Sequence, residues 1–319
     1  NWAGGTSRPR YFQIRGVGER SHYFGEGPPN FSVGFTIDDI ELSGLGMVAS
    51  LHDLEQIEIF KGPQSTVFGS NASAGLINIK TNEPVVGREV KISFSSGNDN
   101  LSSMKSIVNL ALTKSLKLRF SLDYLKSNGF RKNEFLNIEN SNKRDELISK
   151  FKLKYNRRNN IDLLLTVLHA NMDNGYDVWS PDNNSRFITY SDTLGKDKQN
   201  TLGASFNSTY KINSSLVLKY ISSFSSTELE HSYDGDWANE HYWLINHGFD
   251  SDIQGYSYSF YDKYLKVRNS LTNEFRLSKD FGLADLIGGI YAKSLKEEDE
   301  AKGYLFGGLV TNANSIYDF

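Results

Sequence analysis

The chain has 319 residues, no cysteine and a formal net charge of −3. That length holds one large domain or two smaller ones; the missing thiols exclude a disulfide scaffold and any thiolate metal site, and the charge argues against an electrostatic nucleic-acid binder. Mean hydropathy is −0.46, and no run approaches the roughly 18 apolar residues of a membrane helix, although a barrel of alternating strands hides its apolar face from such averages.

Residues 1–85 are rich in glycine and carry short strand-like pieces: "RYFQIRGV", "SVGFTIDDI", "LEQIEIFKG" and "GLINIKT". "GEGPPN" and "SGLGMVA" between them are turn or loop signals. Strands this short need a packed sheet with tight connections. From Phe60 to Thr81 small residues crowd between two apolar alternations. Gly62 and Pro63 turn the chain after a strand at 55–60. Gly69, Ser70, Ala72, Ala74 and Gly75 leave room for backbone to pass close to backbone, and Asn71 is suited to bond peptide groups that a tight turn leaves unpaired. Read from their chemistry, these residues are architectural.

From about Gly87 the texture changes. Proline nearly vanishes, with Pro181 alone remaining, and long alternating runs begin. In "SLKLRFSLDY" Leu116, Leu118, Phe120, Leu122 and Tyr124 share one face, and Lys117, Arg119, Ser121 and Asp123 the other. This is strict period two, so a strand with one apolar and one polar face. "SKFKLKYN", "SLVLKYISSF" and "YLKVRNSLTNEFRLS" repeat it. About nine strands are predicted: 88–97, 103–113, 116–127, 146–155, 161–170, 200–211, 215–228, 263–278 and 284–297. The gaps 114–115, 156–160, 212–214 and 279–283 are short, and 128–145, 171–199 and 229–262 are long. Short turns alternating with long loops fit an antiparallel outer-membrane barrel, whose strands need about 9–11 residues to cross. A soluble β-sandwich also alternates and stays open at this point.

"IRGVG", "FTIDDIELSG" and "LEQIEIFKGPQSTVFGSNASAGLINIKT", in that order and spacing over most of residues 8–85, resemble the plug domain of TonB-dependent outer-membrane receptors. "NEFRLS" at 273–278 resembles a recurrent strand motif of the same family. The resemblance implies a mostly β fold: a small α+β plug at 1–85, then antiparallel strands of a transmembrane β-barrel at 86–319. Such barrels have about 22 strands, so the chain is expected to be part of a longer receptor, truncated at both ends and lacking the energy-coupling segment that precedes the plug. The expected location is the outer membrane of a Gram-negative bacterium. The expected partners are TonB with its inner-membrane energising complex, a small-molecule ligand and outer-membrane lipid. Lys61 stands where the family has the arginine of an "RGP" signature; it keeps the charge and loses the planar fork. A plug-to-barrel lock is expected from Arg15 and Lys61 on the plug and Glu274 on the wall, with Lys266, Arg268 and Arg276 in the same alternating set as Glu274.

No catalytic motif is present: no cysteine nucleophile, HExxH, Walker loop or GxSxG. "GVGERS" follows "RYFQIR" without a βαβ unit, so it is no dinucleotide fingerprint, and Asp38–Asp39 reads as a turn. Neither an enzyme, a cofactor nor a metal centre is expected. The segment 229–262 holds nine aromatics, three histidines, seven acids and no lysine or arginine. Exposed aromatics are costly unless they bind something or pack on each other. The segment is therefore either a ligand-capturing lid or a self-packed loop. Its acidity sits awkwardly with an anionic iron chelate, which would seek Arg20, Arg131, Lys132, Lys143 or Arg144. The ligand-binding candidates are Trp237, Tyr242 and Trp243 of this segment, with Arg20, His22, Tyr23 and Phe24 of the glycine-bounded "GERSHYFGEG". The expected function is TonB-dependent active uptake of a scarce nutrient, an iron–siderophore complex first. The alternatives are haem, cobalamin or a saccharide as cargo, a passive porin, or an adhesive surface protein.

Overall fold

The computed structural model describes residues 12–18, 31–44, 50–64, 72–157, 160–255, 257, 259–302 and 312–318. Two main sheets account for most of them. The smaller contains β1 (Val33–Ile37), β2 (Ile40–Glu41), β3 (Leu54–Lys61) and β4 (Gly75–Thr81) in the order β2-β1-β4-β3. β1 runs parallel to β4, and the other two pairings are antiparallel. β1 and β2 form a hairpin whose turn is Asp38–Asp39, both at positive φ (49° and 65°). Two left-handed residues are what a two-residue type I′ turn requires, and Asp tolerates them. Gly75 opens β4 at φ 151° directly against the Phe60 carbonyl, a place closed to any side chain. The region 65–71, with Gly69, Ser70 and Asn71, lies outside the described residues.

The larger sheet is a ten-stranded antiparallel meander. Its first five strands are β5 (Arg88–Gly97), β6 (Leu101–Ala111), β7 (Leu116–Ser127), β9 (Arg144–Arg157) and β10 (Ile161–Tyr176). The other five are β12 (Gly195–Lys211), β13 (Leu216–Asp234), β14 (Tyr261–Asp280), β15 (Asp285–Lys302) and β16 (Asn312–Asp318). All nine predicted strands are present, and β16 adds one that the alternation did not reveal. The connections 128–143, 177–194 and 235–260 all leave the same end of the sheet, as the rhythm of the gaps predicts. Two-residue strands β8 (Lys132–Asn133) and β11 (Ile188–Thr189) pair in parallel and tie the first two of these loops together. Helices α1 (Glu240–His247) and α2 (Ser251–Gln254) lie in the third.

Several strands run past their predicted ends at the loop side: β10 to Tyr176, β12 from Gly195 and β13 to Asp234. A strand crosses the bilayer in about 9–11 residues. Beyond that depth neither face has to be apolar, so hydrophobic alternation fades while the hydrogen-bond ladder continues.

The faces of the wall are inverted relative to a soluble sheet. Phe94 and Ile290 are each 75% exposed, and Ile92, Phe224, Leu271, Phe275 and Leu277 lie exposed on the same outer surface. Across that surface Phe224 faces Leu271, and Phe275 faces both Tyr220 and Ile290. The inner surface buries Arg119, Lys150, Lys152, Arg268 and Glu297. Buried charge within and an apolar band without are the arrangement of a barrel wall in lipid, which decides against the soluble sandwich. Phe224→Arg puts a charge into that band and is expected to destabilise the folded wall by about 2–4 kcal/mol near the bilayer midplane, read as a lower urea midpoint in liposomes. Ser226→Arg, nearer the loop end of the same face, is expected to cost less.

Candidate functional site: the plug–wall seam and the outer loops

The small sheet packs against the inner face of the large one. Their shared apolar cluster takes Phe35, Ile37, Ile40, Leu42 and Ile79 from the plug side and Ile148, Leu168, Ala170, Met172 and Leu229 from the wall. Ile40 sits in a cradle made by Gly203: a Cβ there would lie 2.9 Å from its Cγ2. The hairpin turn is then bonded on every side. The Asp38 carboxylate accepts from the Thr81 N–H (2.9 Å), the Thr81 hydroxyl (2.6 Å) and Lys152 Nζ (2.8 Å). Lys152 also donates to the Thr81 carbonyl at 2.7 Å, Ser205 Oγ to the Asp38 carbonyl at 2.7 Å, and Asn207 Nδ2 to Asp39 at 2.9 Å.

A second anchor lies beside β3. Arg119 grips Asp53 through both ends of its fork, Nε at 2.8 Å and Nη2 at 2.6 Å, and reaches Glu89 with Nη1 at 2.9 Å. Such bidentate pairs are among the strongest and most directional ion pairs. Lys150 Nζ donates to the His52 carbonyl at 2.7 Å, and Lys154 pairs with Glu83. The third anchor is looser. Glu41 lies 3.6 Å from Arg268 and 3.8 Å from Lys293, while Arg268 is held at 2.6 Å by Glu297 of its own wall. Arg268 also covers the Phe31 ring at 5.4 Å. Removing the plug would leave Arg268 with a wall carboxylate, but would strip Lys152 of Asp38, its sole acidic partner among the described residues.

Burial opposes ionisation of Asp53, but the hydrogen bonds from Arg119 and Asn82 outweigh it and hold its pKa below the ordinary carboxyl value. Burial works against Glu41 too, and there Arg268, Lys293 and Ser43 prevail in the same direction.

The outer loops are built around buried carboxylates. Asp177 accepts from Asn133 Nδ2, Thr189 Oγ1 and Ser191 Oγ. Asp234 accepts the amides of Asp192, Asp236 and Trp237. Asp236 accepts from the Ala238 and Phe260 amides and from Trp243 Nε1 at 3.0 Å; burial raises its pKa despite these bonds. Asp234 and Asp236 thus organise the backbone of the loops around them. The aromatics pair across loops: Tyr242 stacks on Tyr190 at 4.8 Å and Trp237 on Trp179 at 5.6 Å. Among the described residues no group of three or more His, Asp or Glu is placed to hold a metal ion.

Residues 2–76 match the family model described as "TonB-dependent Receptor Plug Domain". Over those residues the chain is similar to the plug domain of TonB-dependent receptors. Over 126 residues (37% of the chain) it is 29% identical to the vitamin B12 transporter BtuB of Vibrio vulnificus (strain YJ016), spanning 20% of that protein. Over 71 residues (22% of the chain) it is 30% identical to the pesticin receptor of Yersinia pestis, spanning 10% of it. The ferric yersiniabactin uptake receptor FyuA from Yersinia pestis has the same fold, with TM-score 0.69 at 16% identity over 90% of this chain and 43% of that one. The siderophore receptor PiuA from Acinetobacter baumannii gives 0.62 at 14% identity over 84% and 38%. The chain therefore spans less than half the length of these solved receptors.

Among the described residues Arg15, Lys61 and Glu274 do not pair with one another. Arg15 is exposed in a turn at φ 54° and has no ion pair among the described residues. Lys61 is exposed at the end of β3. Glu274 does lie on the inner face with Lys266, Arg268 and Arg276, but it pairs with Arg276 of its own strand. The seam has the opposite polarity: carboxylates on the plug, cations on the wall. Asp38, Glu41 and Asp53 were not singled out as anchors from the sequence. The signal was the row of cations on the polar faces of the predicted strands, which a barrel turns inward. Of the ligand candidates, Arg20, His22, Tyr23 and Phe24 lie outside the described residues. Trp237 keeps an exposed face, whereas Tyr242 and Trp243 are held in packing with Tyr190, His247 and Phe249.

Carboxyls whose pKa is lower when docked than when free stabilise docking fully above the free value, about 4, and lose that contribution as pH falls through the docked value. Protease resistance of the plug in the folded receptor is therefore expected to stay level between about pH 8 and pH 5 and to drop below about pH 4. In Asp53→Asn the acid-dependent drop should be smaller.

Proposed function

We propose that this chain supplies the plug, residues 1–85, and a run of the barrel wall, residues 86–319, of a receptor that imports a scarce nutrient across the outer membrane. The cargo placed first is an iron–siderophore complex. One observation carries the reading: a plug docked by carboxylates onto the buried cations of a wall whose other face is apolar. Such a plug closes the lumen, yet its contacts are ion pairs, hydrogen bonds and a modest apolar cluster. All of these are reversible by force without chemistry on the cargo, so the protein works as a transporter and not as an enzyme.

The cycle has three stages in this reading. Ligand binds the outer loops and the plug apex, with Arg20, His22, Tyr23, Phe24, Trp237, Tyr242 and Trp243 as its proposed contacts. The loaded plug then engages TonB in the periplasm. Force derived from the proton-motive force shifts the plug and opens a path. The names of the similar proteins support an iron chelate and keep cobalamin as the second reading.

In cells carrying the full-length receptor, iron delivered as a ferric siderophore is expected to accumulate and to stop accumulating when a protonophore collapses the proton-motive force. Accumulation that continues unchanged would indicate a passive pore and overturn the reading.

A further inference from the structure

The plug is held unevenly around the wall. Against β6, β7, β9 and β10 its contacts are short. Arg119 takes Asp53 through two nitrogens, Lys150 takes the His52 carbonyl, and Lys152 takes Asp38 and the Thr81 carbonyl, all at 2.6–2.8 Å. Four of the five wall residues in the shared apolar cluster, Ile148, Leu168, Ala170 and Met172, belong to β9 and β10. The chain leaving the plug is clamped on the same side. The Asn82 N–H donates to the Asp53 carbonyl at 3.0 Å. Asn109 of β6 accepts from the Val85 N–H and donates to the Val85 carbonyl, each at 3.0 Å.

Against β13, β14 and β15 the contacts are longer. Glu41 stands 3.6 Å from Arg268 and 3.8 Å from Lys293, beyond hydrogen-bond length. Glu41 Oε2 and Arg268 Nε and Nη2 are buried and make no hydrogen bond among the described residues. Ser225 Oγ reaches the Glu41 carbonyl at 3.0 Å, and Leu229 is this side's residue in the apolar cluster. The consequences of parting differ in the same sense. Buried polar groups left unbonded cost free energy while the plug is docked, and water entering beside Arg268 removes that cost. Arg268 also keeps Glu297 of its own wall at 2.6 Å. Lys152 has no such reserve. Asp38 is its sole acidic partner among the described residues, so parting there gives up a 2.8 Å ion pair that no wall carboxylate replaces.

We propose that the plug parts first from β13–β15 while staying seated against β6–β10, so that the path opens between the β1–β2 hairpin and Arg268 and Lys293. The proposal rests on the uptake reading and says where in the seam the plug yields. β2 is the moving edge: it is two residues long and ends the small sheet. The clamped segment 82–87 is the pivot. Cargo passing along this side meets the Arg268 N–H donors that the docked plug leaves unbonded.

Ser121 of β7 and Ser270 of β14 are matched reporters. Both are buried on the inner face, and neither hydroxyl makes a hydrogen bond among the described residues. Ser121 lies opposite Lys150 and Ser270 opposite Ser225, so each flanks one set of contacts. Ser121→Cys and Ser270→Cys are made singly in the full-length receptor, free of other cysteines, and reconstituted in liposomes. The rate of reaction with N-ethylmaleimide is divided by the rate of the same variant in denaturant, which reports local opening. Ser270→Cys is expected to react at least about tenfold faster than Ser121→Cys. Adding Glu297→Gln removes the reserve partner of Arg268, and the ratio should fall by about threefold or more. Gel mobility of unheated samples checks that each barrel is folded. Equal rates, or a faster Ser121→Cys, overturn the proposal, as does a ratio that Glu297→Gln leaves unchanged. The rates need neither cargo nor energy. Equal rates beside protonophore-sensitive accumulation of iron given as a ferric siderophore overturn the proposal and leave the uptake reading standing. Protonophore-insensitive accumulation overturns the uptake reading whatever the rates.

Discussion

Lys152 is the residue around which the architecture closes. It stands on the inner face of β9, buried beneath the small sheet, with its ammonium shared between the Asp38 carboxylate and the Thr81 carbonyl. A lone buried ammonium is expensive, and it is stable here because the plug brings a carboxylate and a carbonyl to it. That requirement fixes the rest of the seam. The Asp38–Asp39 turn must project into the wall, so β1 and β2 form a tight I′ hairpin. Ile40 must follow into the wall, so Gly203 carries no side chain. Thr81 must end β4 beside the turn, which the parallel pairing of β1 with β4 achieves by setting Ile37 against Ile79.

The same inversion of faces explains what sequence patterning revealed and what it hid. Alternation is a local property, so Leu116 to Tyr124 or Lys150 to Tyr155 is legible without knowing which side meets water. The strand number, the short and long connections and the plug motif followed from such local signals. The polar set of Glu274, Lys266, Arg268 and Arg276 lies inward as the alternation implies, but which plug residues meet the wall is not a local signal, and with it went the polarity of the lock. Arg15 was expected to meet Glu274, because a plug arginine facing a wall glutamate suits the signature of the family. In the structure Glu274 is satisfied two residues away by Arg276, and the wall presents Arg119, Lys150 and Lys152 to plug carboxylates instead. Asp38 reads from sequence as a turn residue; it is one, and its carboxylate is free to anchor because the backbone alone makes the turn.

The outer loops show a similar division. The aromatic richness of 229–262 was plain, yet composition could not tell which rings pack and which stay open. Cross-loop stacking with Tyr190 takes Tyr242, and the bond to Asp236 fixes Trp243. Trp237 alone of the three keeps an exposed face, against Trp179 from a different loop. Its partner is 58 residues earlier in the chain, a separation no local pattern bridges.

A double-mutant cycle on Asp38 and Lys152 tests the central claim most directly. Asp38→Asn, Lys152→Met and the pair would be compared in the full-length receptor by the urea concentration at which the plug becomes protease-sensitive. The account predicts that each single change loosens the plug, by as much as about 3–5 kcal/mol for a buried ion left alone. The double change should then cost less than the sum, with a coupling of about 0.5–3 kcal/mol. Strictly additive losses, or singles indistinguishable from wild type, would contradict a plug held by its carboxylates on the cations of the wall.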